Sequence, residues 1–169
     1  VLIHDRTVLG GNASSEIRMW VCGAQGLDRS PNKDLLETGV VEEIRLNNMY
    51  RNPRGNWSIW DSVTYEAVRR EDNITMLLNA SCMDVEMDGN RILSILAWQT
   101  TTQTKIRVHA KTYVDSSGDG ILIPLTGAEY RQGRESASEF DEDIQPEVAD
   151  KNTMGISCLI QTRETDQPV

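Results

Sequence analysis

The apolar positions of this chain change period as it proceeds. Val1, Leu2 and Ile3 form a continuous apolar run, the pattern of a strand buried on both faces. LGGNASSE (9–16), rich in small and polar residues, follows almost at once. From there to residue 34 the signals are mixed, with Gly23, Gly26 and RSPN (29–32) marking irregular chain, and no element is assigned. In ETGVVEEIRLNNMYRN (37–52), Val40, Val41 and Ile44 recur at helical spacing with charges opposite, and NPRGN is the stop, so a helix is expected. A second is expected in SIWDSVTYEAVRRE (58–71), where Ser58 and Asp61 have capping-box spacing and Val63, Ala67 and Val68 make one stripe.

The period then shortens. NITMLLNASCM (73–83) reads as an apolar strand, DVEMDGNRILSILAWQ (84–99) as a hairpin around Asp88-Gly89-Asn90, and KIRVHAKTYVD (105–115) alternates at Ile106, Val108 and Ala110. VDSSGDG (114–120) makes a second glycine turn, and ILIPLTGAEYRQGRE (121–135) begins a helix. The expected fold is α/β, a parallel central sheet with an inserted antiparallel β-meander. Ligands in such sheets sit outside the carboxyl ends of the strands, where both glycine turns are expected to face one crevice.

Composition narrows the partners. A chain of 169 residues is one domain's worth and long enough for a sizeable core. No apolar run approaches the roughly 20 residues of a spanning helix. The net charge is −9, and ESASEFDEDIQPEVAD (135–150) holds seven acids and no base, which argues against nucleic acid and reads as a solvated loop or helix face. Cys22, Cys82 and Cys158 lie far apart without ligand spacing and read as buried thiols, so no zinc is expected. Asn-x-Ser/Thr triplets at Asn12, Asn56, Asn73 and Asn79 read as chance, because two lie in or beside apolar strand-like runs. The chain opens on VLIHD and closes on ETDQPV, as a piece of something longer would, and no localisation or oligomeric state is assigned.

Two chemistries compete at the second turn. Asp115, Ser117, Asp119 and Gly120 fit the first half of a calcium loop, but its twelfth position is Thr126 where a bidentate glutamate is required, and no metal is assigned. Two readings stay open. Ser116, Ser117 and Gly118 could present an anionic group to a helix start, or the turn could join strand to helix without a ligand. LGGNASSE favours a ligand, since Gly10, Gly11, Asn12, Ser14 and Ser15 offer backbone and hydroxyl donors without bulk.

VLIHDRTVLGGNASSE, GNRILSILAWQ and TYVDSSGDGILIPLTGAEYRQGRE together resemble the FAD-dependent oxidoreductase family with the glutathione-reductase-like dinucleotide-binding fold, over most of the chain. The resemblance implies a Rossmann-like FAD-binding domain over residues 1–134, then an acidic connection and the start of a second domain over 135–169. It implies a ribose contact from His4 or Asp5, contacts to ribose and pyrophosphate from Gly10, Gly11, Asn12 and Ser14, and an adenine contact from Cys82. Asp115, Ser117, Gly118 and Asp119 would stand near the pyrophosphate and ribityl chain. The family's G-x-G-x-x-G is not in this sequence and would stand upstream of Val1, so the resemblance implies part of a cofactor domain. The implied activity is flavin-mediated hydride transfer from a small-molecule substrate, in one reading carbohydrate-like. No catalytic residue is assigned: His109 reads as an exposed or satisfied strand residue, and Trp20, Trp57, Trp60 and Trp98 as packing residues. The alternative is a non-catalytic α/β binding or interaction module whose glycine turns are structural.

Overall fold

In a computed structural model, which describes residues 1–21, 38–155 and 164–165, the apolar opening run forms strand β1 (Leu2–Ile3). It pairs in parallel with β2 (Met76–Leu77), Leu2 opposite Met76 and Ile3 opposite Leu77. Parallel neighbours cannot be joined by a hairpin, and the crossover between them carries α1 (Val40–Arg51) and α2 (Trp57–Arg69). The chain is therefore mixed α/β. Among the described residues the parallel sheet has these two strands.

A separate three-stranded antiparallel sheet follows, in the order β3 (Ala80–Asp88), β4 (Arg91–Gln99), β5 (Thr104–Val108). It is the expected meander. Gly89, at φ +56°, and Asn90 make the turn between β3 and β4. The single strand expected over 73–83 is divided, because Asn79 at φ +53° turns the chain between β2 and β3. Its amide donates to Arg6 O (3.0 Å) and its carbonyl accepts from the Thr100 amide (2.9 Å). Asparagine is among the few residues that tolerate this backbone region.

The helices correct the sequence reading in two respects. The cap of α2 is Asn56, whose side chain accepts from the Ser58 amide at 2.8 Å, so Ser58 lies inside the helix and the expected Ser58–Asp61 capping box does not form. Of the expected stripe, Val63 is fully buried while Ala67 and Val68 are half-buried. On α1 no residue is buried: Val40 is 72% and Met49 70% exposed, so the helix exists without the buried face its spacing suggested. Glu66 of α2 bridges Arg51, at the end of α1, and Arg70. The Arg51 guanidinium, with Arg70, holds the Glu66 carboxyl below its ordinary value. The sizeable core is also not found: among the described residues the buried hydrophobic ones are Leu9, Val63, Ala80 and Ala97.

The described residues fall into two compact units, one within 1–83 and 95–108, the other within 84–94 and 109–169. In the second, residues 113–115 form no strand. Tyr113 anchors the segment instead, its hydroxyl accepting from the Ala110 amide and donating to Leu93 O, both at 2.9 Å. The helix expected from residue 121 is only α3 (Leu122–Thr126), stopped by Gly127 at φ +71°. Residues 135–150 are a loop with the short helix α4 (Ala137–Phe140), and most of its acids are exposed. Backbone pairing of Arg134 with Asp150, together with their ion pair, closes its base. Cys22, Cys158 and the irregular stretch after residue 21 lie outside the described residues.

Candidate functional site

The carboxyl end of β1 is built by a short relay of backbone bonds. The His4 amide donates to Leu77 O and the His4 carbonyl accepts from the Ala80 amide, each at 2.9 Å, so the parallel register persists to the end of the strand. The chain then turns away from the sheet. His4 Nε2 lies 2.8 Å from Val8 O; since a carbonyl can only accept, this nitrogen carries the proton and the ring is committed to the turn. Asp5, one residue on, is exposed.

Gly10 and Gly11 follow, and both have positive φ, +111° and +55°. Their surroundings differ. A Cβ on Gly10 would stand 3.2 Å from Ala13 O, within the turn itself, whereas one on Gly11 would meet nothing within 4 Å. A single 3-10 turn over Gly11–Ala13 comes next, with Asn12 exposed. Ser14 is completely buried, and its hydroxyl donates to Gly11 O at 2.7 Å. Glu16 accepts from Arg6 Nη1 (3.0 Å) and Thr7 Oγ1 (3.2 Å), tying the far side of the loop to its near side.

Helix α2 grips this loop at two points. Asp61 Oδ1 accepts from the Ser15 amide at 2.9 Å, and the Trp60 indole N–H donates to Ala13 O. Neither residue was legible as part of the site, because the Asp61 contact joins residues 46 apart in sequence and Asp61 carried the look of a helix-capping acid. Cys82 is half-buried in β3, beyond the end of β2 at Leu77 and the turn at Asn79. His4, Asp5, Gly10, Gly11, Asn12, Ser14 and Cys82 all belong to the first unit.

The second turn has its own internal order. Asp115 Oδ1 accepts from the Ser117 amide (2.9 Å) and Oδ2 from the Leu122 amide (2.8 Å), while Ser117 Oγ accepts from the Ile121 amide (3.1 Å). The hydrogen bond from the Ser117 side chain, with those from the Ser117 and Leu122 amides, holds the Asp115 carboxyl below its ordinary value. These bonds engage the amides of Ile121 and Leu122, at the start of α3, with side chains of the turn itself. Ser116, Ser117, Gly118 and Asp119 are exposed, and Gly118 has φ +82°.

The family model described as FAD dependent oxidoreductase matches residues 1–167. The chain belongs to that family. Flavin-linked redox function follows, with FAD as the cofactor. No curated protein and no solved structure matches the chain. Among the described residues, no helix is long and apolar enough to cross a membrane.

The first loop of this FAD-dependent oxidoreductase fits a dinucleotide in its chemistry. It sets an exposed carboxylate, Asp5, and an unobstructed glycine backbone, Gly11, at the carboxyl end of a strand in a parallel pair. The amides of Gly11 and Asn12 take no part in the loop's internal hydrogen bonding. Positive φ favours glycine at positions 10 and 11 whether or not a ligand lies against the turn.

Proposed function

We propose that residues 5–12 lie against the adenosine ribose and pyrophosphate of FAD, with Asp5 accepting from ribose hydroxyls and the Gly11 and Asn12 amides donating to phosphate oxygens. The observation that carries this reading is the open backbone face at Gly11 on the loop that follows β1, in a chain matched by the FAD family over residues 1–167. Between His4 and Asp5, the two positions open for the ribose contact, Asp5 is favoured, because the His4 ring is engaged by Val8 O. Gly10 and Ser14 then serve the loop's shape, Ser14 through its bond to Gly11 O. The adenine contact belongs to the chain between the end of β2 and Cys82. The exposed Ser117, Gly118 and Asp119 are assigned to the pyrophosphate and ribityl region.

The proposal extends to a glutathione-reductase-like, Rossmann topology, with residues 1–134 in the FAD-binding domain and 135–169 leading to a second. It includes a G-x-G-x-x-G segment outside these 169 residues. The exposed apolar side chains of α1 and the absence of a strand at 113–115 support that, as both suit elements that pack in a larger domain. When bound, FAD supplies hydride-transfer chemistry, taking a hydride from a small-molecule substrate. This chain's part is to hold and orient the cofactor.

Hydrogen exchange measured with and without ligand tests the assignment. ADP should protect residues 5–14 and protect 115–120 less than FAD does, since it lacks the ribityl chain and flavin, while FAD should protect both segments. Protection of neither by FAD would leave the glycine turns with a structural role alone, the non-catalytic module of the alternative reading.

A further inference from the structure

The bonds inside residues 10–16 are local. They shape the loop without fixing its position: the Ser14 hydroxyl and amide both donate to Gly11 O, and the Ala13 amide donates to Gly10 O. Arg6 and Thr7 donate to Glu16 and the Met19 amide donates to Asn12 O within the same segment, while the hydrogen bonds that tie the loop to another described element are two from neighbouring residues of α2. Consecutive helical residues point about 100° apart. Trp60 and Asp61 accordingly reach different atoms, Ala13 O and the Ser15 amide, on either side of the buried Ser14. Helix α2 is itself well anchored, capped by Asn56, buried at Val63 and tied to α1 through Glu66 and Arg51. The indole N–H is the only side-chain donor of Trp60 and is already used, as is its backbone amide, which donates to Asn56 O, so the residue offers a ligand no free donor.

We propose that Asp61 and Trp60 are positioning residues for the cofactor loop: they hold Ser15 and Ala13 so that Gly11 and Asn12 present their amides to FAD. The inference rests on the placement of that loop proposed above. Neither residue touches the cofactor, and both act through the loop.

The test uses the protein with the G-x-G-x-x-G segment proposed above present, and the variants Asp61→Ala, Trp60→Phe, Asp61→Asn and, as a control, Gly11→Asn. FAD affinity is read by flavin fluorescence titration, and loop order by amide exchange of residues 10–16 without FAD. Asp61→Ala and Trp60→Phe should each weaken FAD about tenfold, equivalent to about 1.4 kcal/mol. Loop exchange should rise in both, with far-UV circular dichroism and melting temperature near those of the parent. Asp61→Asn should stay within about threefold of the parent affinity, because the carboxamide oxygen still accepts from the Ser15 amide, as a neutral group.

Faster loop exchange with unchanged FAD affinity, while Gly11→Asn loses the cofactor, would overturn the positioning role and leave the loop's placement standing. If Gly11→Asn also keeps FAD, the placement itself is wrong. Global unfolding of both Asp61→Ala and Trp60→Phe, or an Asp61→Asn affinity as poor as that of Asp61→Ala, would likewise sink the inference.

Discussion

At Gly11 two demands on one residue can be separated by choosing the replacement. Its φ of +55° is in the region that asparagine tolerates and β-branched residues resist, and a Cβ there meets nothing of the protein within 4 Å. Gly11→Val combines backbone strain of about 1–3 kcal/mol with any intrusion on a ligand. Gly11→Asn isolates the intrusion. It should keep the parent's circular dichroism and lose most of its bound flavin, measured as flavin per mole of purified protein; retention of the full complement would mean that the glycine serves only the turn. Asp119 is exposed, and no clash arises on shortening it, so Asp119→Ala should keep part of the flavin, losing a contact worth about 1–3 kcal/mol.

At the level of elements, the start of α2 makes a clear comparison. Because Asn56 caps the helix, Asn56→Ala should cost about 1 kcal/mol and Ser58→Ala less than about 0.5 kcal/mol, read by thermal or urea unfolding. The reverse order would restore the capping box at Ser58. The acidic loop is sensitive to pH at its base. Hydrogen bonds from Arg134, then from the Asn152 amide, lower the Asp150 carboxyl from 3.8 to about 2. A carboxyl depressed on folding contributes stability that is fully present above its ordinary value and lost as pH falls through the folded one. Closure of the 134–150 loop should therefore persist to pH 4 and weaken as pH falls toward 2, followed through amide exchange at Arg134 and Asp150. Opening already between pH 6 and 5 would exclude this pair as the closing contact.

For the whole molecule, family membership makes FAD a thermodynamic ligand of the native state. Free FAD at 100 times its dissociation constant should stabilise the folded chain by about 2.7 kcal/mol, visible as a rise in melting temperature that riboflavin does not reproduce. Riboflavin lacks the ribose and pyrophosphate assigned to residues 5–12. An equal rise with riboflavin would remove those groups from the recognition.

Some of this was legible along the chain because it depends on near neighbours. Period-two alternation and a Gly89-centred turn are properties of adjacent residues, and the meander β3–β4–β5 stands where the pattern put it. Both crossover helices likewise follow their spacing, and the family's residues are recognisable in order along the sequence. What the pattern could not contain was the company each surface keeps. Val40, Val41 and Ile44 have helical spacing whether or not anything covers α1, and Tyr113 satisfies its segment with a hydroxyl where a strand ladder was expected. Asp61 looked like a local capping acid, yet it accepts the Ser15 amide 46 residues away, a pairing created only when the crossover brings α2 beside the loop after β1. Local steric preference and hydrophobic period write the elements into the sequence, whereas the bond that holds the loop after β1 exists only once two distant elements are packed together.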